Sequence, residues 1–325
     1  MYVLTRHRIV LLSAILALIA FQAIAQPYPS KPIRVISPIP PGSGTDLALR
    51  AAAQQLQSRM GQPWIVENRP GANYIAAAEA CAKAPPDGYT ICFFSGTVTS
   101  FNPYTFTKLP YDSEQDFKPI TRMFYLVNGL IATSSLPANS VKELQALATS
   151  KAGELNFGTL GPGSNPDVFR QWLGSQWKTD IVAIPYNGGP PIVRALMAGD
   201  IHLSTIGLGS LGGQLKTGKM KVLALEGSSR SPLLPDVPTY AEAGIDGYPL
   251  KSWWGLLAPA GVPDSIVSRL NTEIITVFRD AKFIDYLNSQ FLQPAVLSTE
   301  EFGSFMKSDR EYTALLFKKF NVLRQ

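Results

Sequence analysis

The stretch IRVISPIPPGSGTDLALRAAAQQLQSRM (33–60) decides the fold. Its first five residues, Ile33–Ser37, form an apolar run bounded by prolines, which predicts a buried strand. Residues 38–44 are rich in Gly and Pro and predict a loop. Thr45 and Asp46 begin an amphipathic pattern that predicts a helix ending near Met60. A strand, a glycine-rich loop and a helix in this order are typical of an α/β protein.

The alternation of strands and helices continues along the chain. Ser140 with Glu143, and Ser298 with Glu301, have the spacing of capping boxes and mark two helix starts. Because helices join the strands, we expect an α/β architecture with a largely parallel sheet. The other predicted strands are 64–67, 89–94, 155–159, 181–185, 201–206 and 220–225, and the other predicted helices are 73–84, 141–150, 166–177, 191–198, 264–279 and a last one opened by Ser298.

The length of the chain allows one large domain or two lobes of ordinary size. A break at 124–127 and a Pro/Gly-rich stretch at 231–249 indicate two crossings between lobes. Two crossings make the first lobe discontinuous. We therefore expect lobe 1 to comprise 26–125 and 250–325, and lobe 2 to comprise 126–249.

The first 25 residues predict an exported protein. Arg6 and Arg8 form a basic start, residues 9–21 are almost unbroken apolar sequence, and Ala23-Ile24-Ala25 supplies a small-residue cleavage site. This pattern predicts a signal peptide cleaved after Ala25 and a periplasmic location. An uncleaved anchor helix is the alternative. The cleavage site argues against it, as does an apolar run shorter than the roughly 20 residues of a membrane span.

The composition of the chain limits which partners, metals and cofactors are expected. Removing Arg6 and Arg8 lowers the formal net charge from +5 to +3, and no basic run exceeds Lys318-Lys319, so nucleic acid is not an expected partner. The sequence contains no H-E-x-x-H or C-x-x-C motif, and we expect neither a metal nor a cofactor. The only cysteines, Cys81 and Cys92, would form a disulfide in an oxidising compartment or remain two buried thiols.

Three loops share one construction. PPGSGTD (40–46), GPGSNP (161–166) and YNGGPP (186–191) each follow a predicted strand and run into a helix. Glycine lets backbone N–H groups turn toward a common point, and a helix N-terminus adds unpaired donors and a positive dipole end. Together these features predict an anion site at the carboxyl ends of the strands.

Each loop also has a simpler interpretation. Thr45-Asp46 and Asn165-Pro166 would serve as ordinary helix caps, with proline in the first turn. For any single loop this interpretation is the better one. Three such loops distributed over two predicted lobes favour a shared pocket in the cleft between them.

At these loops the chain resembles the Bug, or TctC-type, substrate-binding proteins of tripartite tricarboxylate transport systems. The resemblance covers nearly all of the chain beyond residue 25, and its most specific segments are VENRPGANYIAA (66–77), PPDGYT (85–90), IPYNGGPP (184–191) and RSPLLPDVPTYAEAG (230–244). It implies a two-lobe Venus-flytrap fold, each lobe a mostly parallel sheet flanked by helices. It also implies a monomeric solute-binding protein, not an enzyme, which delivers a small organic anion to a transporter's integral membrane subunits.

The resemblance carries ligand-binding roles over to loop residues of both lobes, which would hold a carboxylate mostly through backbone amides and bridging waters. These are Pro41, Gly42, Ser43, Gly44, Thr45 and Asp46 from one lobe, and Gly163, Ser164, Asn165, Tyr186, Gly188, Gly189 and Pro190 from the other. Ser95 and Thr97, after the third strand, are further candidates. The family's first loop usually reads P-G-G, and Ser43 stands here in place of the second glycine, which leaves the geometry of that loop open.

A second departure concerns the ligand. Ile206 occupies the position where amino-acid-binding relatives usually carry an aspartate that pairs with the ligand's ammonium. A buried ammonium without such a partner is costly. We therefore expect a ligand without an amino group, either a dicarboxylate or an aromatic carboxylate. Phe94, Phe101, Phe169 and Trp253 would form an apolar wall of the site or belong to the core.

Enzymatic alternatives find weaker support. A secreted α/β hydrolase would have to use a serine with His202, the one histidine beyond residue 25, and the chain has no G-x-S-x-G motif. GLGSLG (207–212) fits a dinucleotide fingerprint, but too short a helix fits before Met220. Residues 213–219 nearly match a phosphate-binding P-loop, yet Met220 stands where Ser or Thr is required.

Overall fold

The computed structural model describes residues 28–227, 229–322 and 324. The predicted signal segment lies outside the described residues. The strands are β1 (Ile33–Ser37), β2 (Trp64–Asn68), β3 (Thr90–Ser95), β4 (Phe117–Leu126), β5 (Asn128–Thr133), β6 (Asn156–Thr159), β7 (Val182–Pro185), β8 (Leu203–Gly207), β9 (Met220–Leu225), β10 (Trp253–Pro259) and β11 (Leu292–Pro294). The α-helices are α1 (Gly44–Met60), α2 (Ile75–Ala82), α3 (Asn102–Thr105), α4 (Val141–Ser150), α5 (Asn165–Trp177), α6 (Gly189–Ala198), α7 (Asp264–Phe278), α8 (Ala281–Ser289) and α9 (Thr299–Lys319).

The strands form two mixed sheets. The first has the order β11-β4-β10-β3-β1-β2, and the second has the order β7-β6-β8-β5-β9. In the first sheet β1 runs parallel to β2 and β3, whereas β10 is antiparallel to β3 and β4. In the second sheet β6 runs parallel to β7 and β8, whereas β5 is antiparallel to β8 and β9. We call the first sheet with its helices lobe 1, and the second sheet with its helices lobe 2.

The α/β fold is confirmed, but the sheets are less parallel than the sequence predicts. The seven predicted strands are present, and the strands that the sequence did not predict are β4, β5, β10 and β11. These four make the antiparallel pairings. Parallel neighbours need a crossover helix, which leaves a local signal in the sequence, whereas antiparallel neighbours do not.

Both faces of the first sheet are covered. Along β1, Val35 packs into one apolar cluster with α1 and α7, and Ile36 packs into another with α2 and α9. Phe93 and Phe94 on β3 divide between the same two clusters. Adjacent strand residues point to opposite faces, so a sheet with helices on both sides has continuous apolar strands.

The long C-terminal helix α9 contacts both lobes. Ser298 and Glu301 form the predicted capping box at its start. Phe302 packs in the core of lobe 1, and Phe317, near the other end, packs beside Phe101 in the core of lobe 2. The predicted lobe boundaries stay a prediction, and the last turns of α9 lie against the second lobe.

Cys81 of α2 and Cys92 of β3 form a disulfide, with their Cα atoms 6.1 Å apart. This separation lies within the ordinary range for a disulfide. Of the two possibilities that the sequence left open, the structure has the disulfide. No helix among the described residues is long and apolar enough to cross a membrane.

Candidate functional site

Each of the three predicted loops follows the carboxyl end of a strand and leads into a helix. The first loop joins β1 to α1 in lobe 1, and the other two join β6 to α5 and β7 to α6 in lobe 2. A methyl group placed on Gly44 would lie 3.8 Å from the carbonyl oxygen of Gly209, which follows β8 in lobe 2. The N-terminus of α1 therefore faces the other lobe at close range.

Two of the loops are copies of one motif, P-G-S-x-x-D, at Pro41–Asp46 and Pro162–Asp167. The glycines have φ of 83° and 72°. Each glycine N–H donates to the aspartate four residues later, at 2.9 Å in the first loop and 3.0 Å in the second. Each serine is the N-cap residue of the following helix, with φ/ψ of −70°/157° and −68°/157°. The shared motif was visible in the sequence but was not predicted to fold as a repeat.

Ser43, whose presence left the first loop uncertain, is accommodated as a helix cap. Its Oγ accepts from the backbone N–H of Asp46 at 3.2 Å. Serine is among the preferred N-cap residues because its hydroxyl satisfies one of the orphan amides of the first turn. The departure from P-G-G therefore strengthens the start of α1.

Asp46 lies fully buried behind the first loop. Its carboxylate accepts from Arg50 Nε at 2.8 Å, from Asn68 Nδ2 at 2.7 Å and from Gly42 N–H. Burial by itself would raise the pKa of Asp46, but the hydrogen bonds from Arg50, Gly42 and Asn68 hold that pKa below its usual value. The carboxylate thus stays ionised and fixes the loop backbone.

Asp167 has the same position in the second loop and is also buried. Arg170 donates to it at 3.0 Å from Nε and at 2.8 Å from Nη2, and Gln171 donates from Nε2 at 3.0 Å. Each loop is therefore held from behind by a buried aspartate paired with an arginine of its own helix. Both arginines are occupied in holding these aspartates. The front of each loop, meaning the side away from its aspartate, therefore offers backbone groups to a ligand.

The free donors at the front are first-turn amides, which have no partner within the helix. Helix α1 presents the amides of Gly44 and Thr45, and α5 presents that of Asn165. Helix α6 presents the amide of Gly189 alone in its first turn, because Pro190 and Pro191 have no N–H. The helix after the third loop therefore supplies fewer first-turn donors than the helix after the first loop.

The remaining candidates differ in their surroundings. Tyr186 is half-buried against the core of lobe 2, Gly188 has φ of 107°, and Pro190 is exposed. Ser95 is buried, and its Oγ accepts from the N–H of Thr97 at 3.3 Å, which shapes the turn after β3. Direct contact between any of these residues and a ligand stays a prediction.

The apolar candidates lie in the cores. Ile206 is 7% exposed among the apolar side chains of lobe 2. Phe94 and Trp253 are buried in lobe 1, and Phe101 and Phe169 belong to the core cluster of lobe 2. Of the two interpretations open for these four aromatics, the structure has them as core.

Gly163 and Gly189 differ in the space around them. A methyl group on Gly163 would lie 3.1 Å from Val322 Cγ1 and 3.4 Å from Phe317 Cε1, and its φ of 72° disfavours other residues, whereas Gly189 has open space. We expect Gly163→Ala to lower the free energy of unfolding by about 1–3 kcal/mol. We expect Gly189→Ala to change it by less than about 0.5 kcal/mol.

Urea denaturation of both variants checks this prediction. Equal stability of the two would contradict the packing described for the second loop. A bulky residue at Gly163 is therefore expected to disturb the fold as well as binding.

The enzymatic alternatives lack a site in the described structure. His202 lies at the amino end of β8, the sheet edge opposite to the loops, where its Nδ1 accepts from the N–H of Asn156 at 2.9 Å. Residues 208–217 form short 3-10 turns in place of the crossover helix that a dinucleotide site requires. Among the described residues, no cluster of three or more His, Cys, Asp or Glu side chains could hold a metal ion.

Comparison with known proteins gives a consistent result. The model of the tripartite tricarboxylate transporter family receptor matches residues 48–322. A UPF0065 protein of Bordetella pertussis is 31% identical over 310 residues, which cover 95% of this chain and 96% of that protein.

Two solved structures superpose over nearly the whole chain. The structure described as R. palustris Rpa4515 with adipate has a TM-score of 0.84 at 28% identity and covers 92% of this chain and 100% of that one. The periplasmic binding protein BugD has a TM-score of 0.79 at 27% identity, with the same coverage. These relatives are binding proteins and not enzymes, and they share the two-lobe fold described above. The chain belongs to the tripartite tricarboxylate transporter receptor family, whose members are periplasmic solute-binding proteins.

Proposed function

We propose that the mature protein, released by cleavage after Ala25, captures a small organic carboxylate without an amino group, either a dicarboxylate or an aromatic carboxylate. It delivers this ligand to the integral membrane subunits of a tripartite transporter. The observation that carries the proposal is the pair of P-G-S-x-x-D loops, one on each lobe, each of which leads into the N-terminus of a helix. The structural neighbour solved with adipate supports this ligand class.

In this proposal, main-chain amides bind the anion. None of the three loops contains Lys or Arg. A helix N-terminus combines N–H groups that point at the ligand with the positive end of the helix dipole. A ligand with two carboxylates can use α1 of lobe 1 at one end and α5 or α6 of lobe 2 at the other. Contact with both lobes is what lets a ligand favour a closed arrangement, because only differential affinity shifts a conformational equilibrium.

Apolar side chains beside the loops suit a ligand with a hydrocarbon body. Leu47, in the first turn of α1, is 45% exposed, and Leu160, at the start of the second loop, is 44% exposed. Two exposed leucines next to the proposed carboxylate positions would cover the methylene groups of a chain such as adipate. The buried Ile206 offers no charge to a ligand ammonium.

Calorimetric titration with succinate, adipate, terephthalate, aspartate and glutamate tests the proposal. We expect adipate or terephthalate to bind most tightly, and the amino acids at least about tenfold more weakly, because an ammonium would lose its hydration without gaining an anionic partner. Tightest binding of aspartate or glutamate would refute the ligand class. No binding of any carboxylate, together with turnover of an ester substrate, would favour the hydrolase alternative.

A further inference from the structure

Glu226 lies on the sheet edge that carries the ligand loops. It directly follows β9 and is half-buried. Strand β5 is antiparallel to both β8 and β9, so β9 ends at the same edge as β6, β7 and β8. A negatively charged side chain at this sheet edge cannot help to bind an anionic ligand by direct attraction.

A short chain of hydrogen bonds joins Glu226 to the second ligand loop. Its Oε1 accepts from the N–H of Ser252 at 3.2 Å, and its Oε2 accepts from Asn128 Nδ2 at 2.6 Å. The hydroxyl of Ser252 in turn accepts from Asn165 Nδ2 at 2.9 Å. Asn165 is the first residue of α5 and offers one of the free amides. Only Ser252, Asn165 and the two hydrogen bonds that join them to Glu226 separate an anion held there from the carboxylate.

The groups around Glu226 do not neutralise it by direct pairing. Lys251 is the nearby cation, but the described residues form no salt bridge to Glu226. Tyr125 of β4, together with Tyr240 and Tyr248, faces the carboxylate, and burial raises the pKa of all three tyrosines, which keeps them neutral. Burial likewise raises the pKa of Glu226 to about 7, against the smaller opposite effects of Asn128, Ser252 and Lys251.

We infer that the protein takes up a proton from solvent onto Glu226 when it binds its anionic ligand. The inference rests on the proposed function. A ligand anion near α5 disfavours the ionised form of Glu226, so the bound state holds the proton more tightly than the free state. By linkage, affinity then falls as the pH rises through the range in which Glu226 ionises. We expect the affinity to fall by about three- to tenfold between pH 6 and pH 9.

Calorimetry with adipate at pH 7.5, in HEPES and in Tris, counts the protons exchanged, because the two buffers have different ionisation enthalpies. We expect uptake of about 0.2 to 0.5 proton per ligand for the wild type. Glu226→Gln should take up none and should bind with the same affinity at pH 6 and pH 9. Glu154→Gln, which removes an exposed carboxylate of lobe 2, and His202→Asn, which removes the histidine at the opposite end of lobe 2's sheet, should both retain the wild-type uptake.

The outcomes separate this inference from the proposed function. Adipate binding without proton uptake overturns the inference and leaves the proposed function intact. Uptake that persists in Glu226→Gln, or disappears in His202→Asn, also overturns it. Proton release would mean that the bound state favours the ionised form of Glu226, and this too refutes the inference. If Glu226→Gln does not fold, the wild-type proton count and the His202→Asn variant still decide the question. A protein that binds no carboxylate at any pH removes both proposals.

Discussion

Replacing Asp46 by alanine is expected to lower the free energy of unfolding by about 3 kcal/mol and to weaken adipate binding at least about tenfold. The buried carboxylate accepts from Gly42, Arg50 and Asn68. Its removal leaves the Gly42 N–H and the Asn68 amide without their acceptor. The loop is then no longer held in the geometry that directs the amides of α1 toward the cleft.

Chemical denaturation and calorimetry of Asp46→Ala check this expectation, with Asp167→Ala as the equivalent change in lobe 2 and Asp285→Ala, on the exposed face of α8, as the control. Hydrogen bonding lowers the pKa of Asp46 below its ordinary value of 3.8. Its stabilisation is therefore fully present above pH 4 and is lost only as the pH falls through the lowered pKa. The difference between wild type and variant should be constant from pH 5 to pH 8. Wild-type stability and affinity in Asp46→Ala would contradict the role assigned to this carboxylate.

Local signals in the sequence were sufficient for the elements that frame the site. The run 33–37 became β1, and the helix predicted to end near Met60 does so. The capping box of Ser298 and Glu301 formed as predicted. In each case a pattern within about 20 residues determines the element, through apolar periodicity or through hydrogen bonds to the first helical turn.

The strands that the sequence did not reveal depend on distant partners. β10 pairs with β3, which lies more than 150 residues earlier in the chain, and β4 includes Lys118, Pro119 and Arg122. Polar residues and a proline weaken the apolar pattern of a strand, and pairing partners far away leave no local trace. The sheets therefore came out more mixed than expected.

The sequence placed each of the three loops between a strand and a helix, and the structure has them there. Their role as one ligand site stays a prediction. The repeated P-G-S-x-x-D motif was the signal that could have shown how the first two loops are held. Sequence reasoning assigned Asp46 to the ligand, whereas the structure buries it behind the loop, where we assign it a positioning role.

The second large effect is expected at Asp309, which joins α9 to the predicted ligand segment after β3. Its Oδ2 accepts from Ser100 Oγ at 2.5 Å and from Trp253 Nε1 at 3.1 Å. A methyl group on Gly96 would lie 3.1 Å from the same oxygen, so the carboxylate packs directly beneath the turn that contains Thr97.

Asp309→Ala is expected to lower the free energy of unfolding by about 3–5 kcal/mol, since it leaves the buried Ser100 hydroxyl and the Trp253 N–H unpaired. Asp309→Asn keeps an acceptor oxygen, and we expect it to lower the free energy of unfolding by less than about 1.5 kcal/mol.

Burial raises the pKa of Asp309, so the native state holds the proton more tightly than the unfolded state. The contribution of Asp309 to the stability of the wild type should then be greatest at low pH. This contribution should decline as the pH rises from 3.8 through the raised pKa of Asp309. The asparagine variant cannot ionise and should lack this decline, which denaturation at a series of pH values measures. Equal losses in the two variants would mean that Asp309 acts through its charge and not as the acceptor that fixes the turn.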